Sequence, residues 1–178
     1  HVGQVPIFYN YKPSGMRSNW YVDYVSEKVT PLYPFGHGLS FTSFEYSDLF
    51  LTKKSVTEGE NVDIFLKIRN SGSVTGDEVV QLYIRDEFAS TPRPVKELKG
   101  YVRLTLRPGE ARKVTFHLPI NQLAFYDEDL NLILEPGKMD VMVGSSSDDI
   151  RLQDAFEIVG EPKMQVKQRV FVCPVDIQ

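Results

Sequence analysis

NVDIFLKIRNSGSVTGDEVVQLYIRD, residues 61–86, places a polar turn between two runs in which apolar side chains fall on every second residue. In the first run Val62, Ile64, Leu66 and Ile68 share one face, while Asp63, Lys67 and Arg69 take the other. In the second, Val80, Leu82 and Ile84 repeat the pattern and Gln81 falls on the outward side. Side chains alternate across a strand, so this spacing predicts two half-buried antiparallel strands. Asn70-Ser71-Gly72 supplies the turn chemistry between them.

The same period continues outward from this pair. It recurs at Val102, Leu104 and Leu106, at Val114, Phe116 and Leu118, at Leu130, Leu132 and Leu134, and at Met139, Val141 and Val143. Glu58-Gly59, Pro108-Gly109 and Pro136-Gly137 separate the runs, and the two Pro-Gly pairs suit type II turns. Phe44 to Thr52 is expected to open the series and Ile150 to Val159 to close it. No stretch holds apolar residues at helical spacing between caps, so helix content should be low. About seven or eight strands at this spacing predict an all-β, immunoglobulin-like antiparallel sandwich. A lone cysteine, Cys173, and a lone tryptophan, Trp20, placed before the first strand, remove the disulfide and buried tryptophan of antibody domains. That leaves the fibronectin type III-like variety, with its sheets joined by aliphatic contact.

The chain begins differently. Eight aromatic residues precede position 36, interrupted by Pro6, Pro13, Gly15, Pro31 and Pro34. Prolines lack the donor a sheet ladder needs, yet this much apolar surface does not stay wet. Residues 31–44, PLYPFGHGLSFTSF, form a connector too rich in Pro and Gly for regular structure and too apolar for a free linker. The division expected is an arm and linker over 1–40, the sandwich over 41–160 and an extension over 161–178, in which Val170 to Val172 could add one edge strand before Pro174.

The connector resembles the junction of glycoside hydrolase family 3, where a PFGxGLSYT motif joins the second catalytic domain to a fibronectin type III-like domain. His37 stands where that family usually has Tyr, and Phe41 where Tyr is common. GDEVVQLYIRD (76–86), RPVKELKGYVRLTLRPGE (93–110) and FYDEDLNLILEPGKMDVMVGSSS (125–147) extend the likeness in the same order and spacing. The resemblance implies the C-terminal part of a retaining β-glucosidase, whose nucleophile and acid/base lie in upstream domains. It implies those catalytic domains as the partner, with a β-glucoside or oligosaccharide reached through them, and it leaves a homodimer open. A β-xylosidase tail and a stand-alone carbohydrate-binding or adhesion module are the rival readings. The parent enzyme would be periplasmic or secreted.

Chemistry of the chain's own is not expected. Asp86-Glu87, Asp127-Glu128-Asp129 and Asp148-Asp149 stand at turns or strand ends, where carboxylates are simply solvated, so no catalytic or substrate-binding residue is assigned. The Asp127–Asp129 triplet lacks the spacing of a calcium loop and reads as a hairpin turn. His1, His37 and His117 are too scattered for zinc, and no cofactor motif is present. A formal net charge of −4 without a basic cluster excludes nucleic acid, and no apolar run reaches the roughly 18 residues of a membrane helix. The candidates for inter-domain contact are Trp20, Tyr21, Tyr24, Tyr33, Phe35 and Leu39. Aromatic faces also stack on sugars, but packing into a neighbouring domain is the favoured reading.

Overall fold

Alternation decides the architecture. The computed structural model describes residues 7–13 and 30–178. Seven strands of eight residues or more carry the fold: β1 (Phe44–Leu51), β3 (Asn61–Asn70), β4 (Gly76–Asp86), β5 (Glu97–Leu106), β6 (Ala111–Pro119), β9 (Gly137–Gly144) and β10 (Ile150–Ile158). Short strands complete it: β2 (Ser55–Val56), β7 (Phe125–Tyr126), β8 (Leu132–Leu134), β11 (Met164–Gln165) and β12 (Val175–Ile177). A single 3-10 turn at Ile120–Leu123 is the one helical element among the described residues.

One sheet runs β1-β3-β6-β12 and the other β2-β10-β9-β4-β5, with β11-β8-β7 as a small third sheet. Every pairing is antiparallel except that of β2 with β10. Inward residues meet between the two large sheets. Val62, Ile64, Leu66 and Ile68 of β3 and Val114, Phe116 and Leu118 of β6 face Val80, Leu82 and Ile84 of β4 and Met139, Val141 and Val143 of β9. All are buried, and each such side chain stabilises the fold by about 1.5–3 kcal/mol. This is the fibronectin type III-like sandwich expected from the alternation.

One polar side chain sits inside the layer. Asn70, at the end of β3, is fully buried, and its amide nitrogen donates to the carbonyls of Val74 and Leu106 at 2.8 and 2.9 Å. Its carbonyl oxygen accepts from the Thr42 hydroxyl at 2.7 Å and the Gly72 N–H at 3.0 Å. A buried amide is tolerated because its hydrogen-bonding capacity is met, and here it ties the connector to two strand ends.

Four local expectations are corrected. Leu130 does not share the inward face of Leu132 and Leu134; it is exposed with φ of 62° at the tip of the turn, where its N–H donates to the Asp127 carbonyl. The Asp127 carboxylate accepts from the Asp129 and Asn131 N–H groups, so the acidic triplet is the hairpin turn. Gly109 has φ of 77° and closes a turn with the Glu110 N–H on the Arg107 carbonyl, but Gly137 has no positive φ and begins β9. Val170 to Val172 form no strand. The edge strand comes after Pro174, whose carbonyl accepts the His117 N–H and so starts β12 without needing a donor. The fourth correction, Gln81, leads to the site.

Candidate functional site

From Val80 to Ile84 every residue of β4 is buried, on both faces. The inner face belongs to the core. The outer face carries Gln81 and Tyr83, and what covers them is the beginning of the same chain. Gln81 is therefore not the solvent-facing residue that alternation predicted; it is 3% exposed.

The connector makes a tight turn over this strand. The His37 N–H donates to the Pro34 carbonyl at 3.0 Å, with Gly36 at φ of 79° in the position where a side chain is strained. Glycine is required there for a second reason, because a Cβ would lie 2.0 Å from the Gln81 side-chain oxygen. Gln81 Nε2 donates to the Gly36 carbonyl at 3.1 Å and also to the Ser145 carbonyl. Its Oε1 accepts the Tyr83 hydroxyl at 2.6 Å. The Ser147 N–H donates to the Phe35 carbonyl at 2.9 Å, so the loop after β9 holds the connector from its other side.

Residues 7–13 add a second layer. The Tyr9 ring stacks on Phe35 with centroids 4.1 Å apart and meets Tyr83 edge-on at 6.0 Å. Its hydroxyl accepts the Leu98 N–H at 3.3 Å, and the Tyr11 carbonyl accepts the Val95 N–H at 2.9 Å. Burial pushes the Tyr83 phenol up, and the hydroxyl stays a donor at any ordinary pH.

The connector's remaining apolar side chains turn away from this seat. Leu32 is 86% exposed, Leu39 91% and Phe41 fully exposed, with Tyr33 and half of Phe35 beside them. Of the sequence candidates, Tyr33, Phe35 and Leu39 gather here; Trp20, Tyr21 and Tyr24 lie outside the described residues. Between the connector and the β4–β5 surface opens a cleft of 910 Å³, lined among others by Phe35, Gln81, Tyr101, Arg103, Asp149 and Arg151.

The cleft's carboxylates are engaged. Asp77 accepts from the Thr105 hydroxyl and from Arg103, which hold it below the ordinary range. Arg151 and Ser145 do the same for Asp149. Burial raises Glu78 despite the Tyr46 hydroxyl donating to it at 2.6 Å, and outside the cleft burial also lifts Asp86 to about 6. Those two raised carboxyls stand eight residues apart on one strand, roughly 26 Å at 3.3 Å per residue. A retaining glycosidase needs its pair about 5 Å apart. Among the described residues no group of three His, Cys, Asp or Glu side chains could hold a metal.

What the geometry offers is an exposed apolar surface, pinned from behind by the Gln81 side chain and the Ser147 N–H. Sequence reading found the connector but missed Gln81 and Tyr83. The available signal was the run VVQLYI, too continuous in apolar character for a strand wet on one side.

Residues 78–147 match the fibronectin type III-like domain family. The chain is 43% identical over 152 residues to a β-xylosidase of Formosa agariphila, covering 84% of this chain and 21% of that protein. It is 37% identical over 164 residues to a periplasmic β-glucosidase of Salmonella typhimurium, covering 89% of this chain and 21% of that one. Its fold superimposes on the crystal structure of a β-glucosidase from Listeria innocua in complex with glucose with a TM-score of 0.79 and 37% identity, over 89% of this chain and 23% of the other. The protein is thus a β-sandwich domain of fibronectin type III-like class with a preceding connector. It belongs with glycoside hydrolase family 3, as the part of those β-glucosidases and β-xylosidases that carries this domain. The chain spans about a fifth of the length of the curated relatives it matches.

Proposed function

We propose that the chain is the non-catalytic C-terminal segment of a retaining β-glucosidase, stabilising and orienting catalytic domains that lie upstream. The observation that carries this reading is the connector: its backbone is fastened to the sandwich by Gln81 and Ser147 while Leu32, Leu39 and Phe41 face outward. Exposed side chains on a rigid backing suit a fixed interface, because little conformational entropy is left to lose on docking. The segmentation that follows is an arm and linker over 1–40, the sandwich over 41–160 and an extension over 161–178. Trp20, Tyr21, Tyr24, Tyr33, Phe35 and Leu39 are the contact residues of this reading. The parent enzyme would hydrolyse terminal β-D-glucosyl residues by double displacement, in the periplasm or outside the cell. A β-xylosidase parent is the second reading, supported by the 43% identity to the Formosa enzyme.

The test adds the purified chain in trans to the catalytic region of a family 3 β-glucosidase lacking its own counterpart segment. A rise in that region's melting temperature and in its hydrolysis of an aryl β-glucoside is expected, with no turnover by the chain alone. Turnover by the isolated chain that disappears when one of its acidic residues is changed would overturn the reading, as would a catalytic region indifferent to the added chain.

A further inference from the structure

The outer face of the β1-β3-β6-β12 sheet holds a histidine between two carboxylates on different strands. His117, on β6, places Nδ1 2.7 Å from Asp63 Oδ1 of β3 and Nε2 3.1 Å from Asp176 Oδ2 of β12. Carboxylate oxygens only accept, so both ring nitrogens must donate for both contacts to be made. Only the doubly protonated ring can do that; a neutral imidazole keeps one N–H and loses one bond.

The strand held in this way pairs with one neighbour only, β6. β12 has three residues at the sheet edge, with register Val175 to Phe116, Asp176 to Thr115 and Ile177 to Val114. Its neighbouring rungs are the His117 N–H on the Pro174 carbonyl at 2.9 Å and the reciprocal Lys113 and Gln178 bonds at 2.8 and 2.9 Å. The charged groups facing the ring are Asp63 from β3 and Asp176 from β12, while Lys113 on β6 itself turns onto the Phe65 ring at 4.4 Å. We propose that His117 is a proton-operated clasp: its doubly protonated ring fastens β12 to β3 across β6, and loss of one ring proton loosens the last strand from the sheet edge.

The direction follows from the contacts. Hydrogen bonds to Asp63 and then Asp176 raise the ring above the usual imidazole range. A raised pKa means the clasp contributes fully below the ordinary value near 6.5 and is lost as pH climbs through the folded-state value. Opening would bare the outer edge of β6, a row of unpaired backbone groups able to accept another strand. The clasp stands on the far sheet from the connector and does not depend on the docking proposal.

The chain's single cysteine makes the test clean. Cys173 is buried just before β12, with its sulfur 3.3 Å from where a Gly100 Cβ would be, and burial pushes its thiol up to about 12. Labelling by an uncharged thiol reagent is followed from pH 5 to 9, each rate normalised to the unfolded chain at the same pH, alongside an NMR titration of the His117 ring. The normalised rate should rise roughly threefold or more through the ring's own titration, on the scale where one pKa unit is tenfold. His117→Gln should flatten that step, and Asp176→Asn should shrink it and move the ring's titration down. A flat wild-type profile, a step that survives His117→Gln, or a ring titrating at or below the ordinary imidazole value in the folded chain overturns the clasp. Should His117→Gln fail to fold, the exposed Asp176→Asn and the wild-type ring titration decide alone.

Discussion

Gln81 is a polar side chain with every partner inside the protein, so its removal leaves the Gly36 and Ser145 carbonyls short of a donor and the Tyr83 hydroxyl short of an acceptor. Gln81→Ala should cost about 2–3 kcal/mol in a denaturant titration, whereas Val79→Ala, on the same outer face but exposed, should stay within about 0.5 kcal/mol. Equal costs at the two positions would remove the connector from its seat. Leu82→Ala and Val141→Ala, both fully buried, should each cost about 2–4 kcal/mol. Asp86 adds a pH signature. Burial lifts its carboxyl to about 6, above the ordinary 3.8, with Arg93 opposing. A raised folded-state pKa gives stability that is present below about 4 and lost as pH rises to about 6, on the order of 1 kcal/mol after allowance for screening. Asp86→Asn should flatten that part of the stability profile, measured by denaturant midpoints between pH 4 and 7, and an unchanged slope would reassign it to another group.

At the scale of elements, the strands with one buried and one open face were legible, and those buried on both faces or too short to show a period were not. β3 and β9 read correctly because one side is core and the other solvent, so Val62 to Ile68 and Met139 to Val143 alternate cleanly. β4 defeats the same rule at Gln81 and Tyr83 because the chain's own start supplies a second apolar neighbour, a tertiary fact no local period contains. β12 was missed because three residues show no period, and Pro174 looked like an end where its carbonyl makes a beginning. The connector outside the strands was legible for a different reason: aromatics among prolines have no place in a sheet ladder. Deleting residues 1–40 removes the cover from Gln81 and Tyr83 but none of the inward core. The remaining chain should still unfold in one transition, about 2–4 kcal/mol less stable than the full chain. Loss of a cooperative transition in the deletion would place the arm inside the core.

At the scale of the whole molecule, the proposed docking role and the folding role fall on opposite sides of one connector and can be tested separately. Gly36 and Phe35 face the sandwich, while Leu39 and Phe41 touch little of it and remain exposed. Charge placed at the outward positions should therefore leave the isolated chain's stability nearly unchanged, within about 0.5 kcal/mol. Under the docking proposal it should not be neutral for the joined enzyme, in which an unpaired charge would be buried against the catalytic domains at a cost of several kcal/mol. Leu39→Asp with Phe41→Asp should thus lower the melting temperature of the joined enzyme by several degrees and leave that of the chain alone where it was. Gly36→Ala, which drives a Cβ into Gln81, should lower both. The contrast between these two variants is the measurement that matters. If the double aspartate variant destabilises the isolated chain as much as the joined enzyme, the exposed residues serve the sandwich's own fold. If it destabilises neither, the docking face lies elsewhere on the chain.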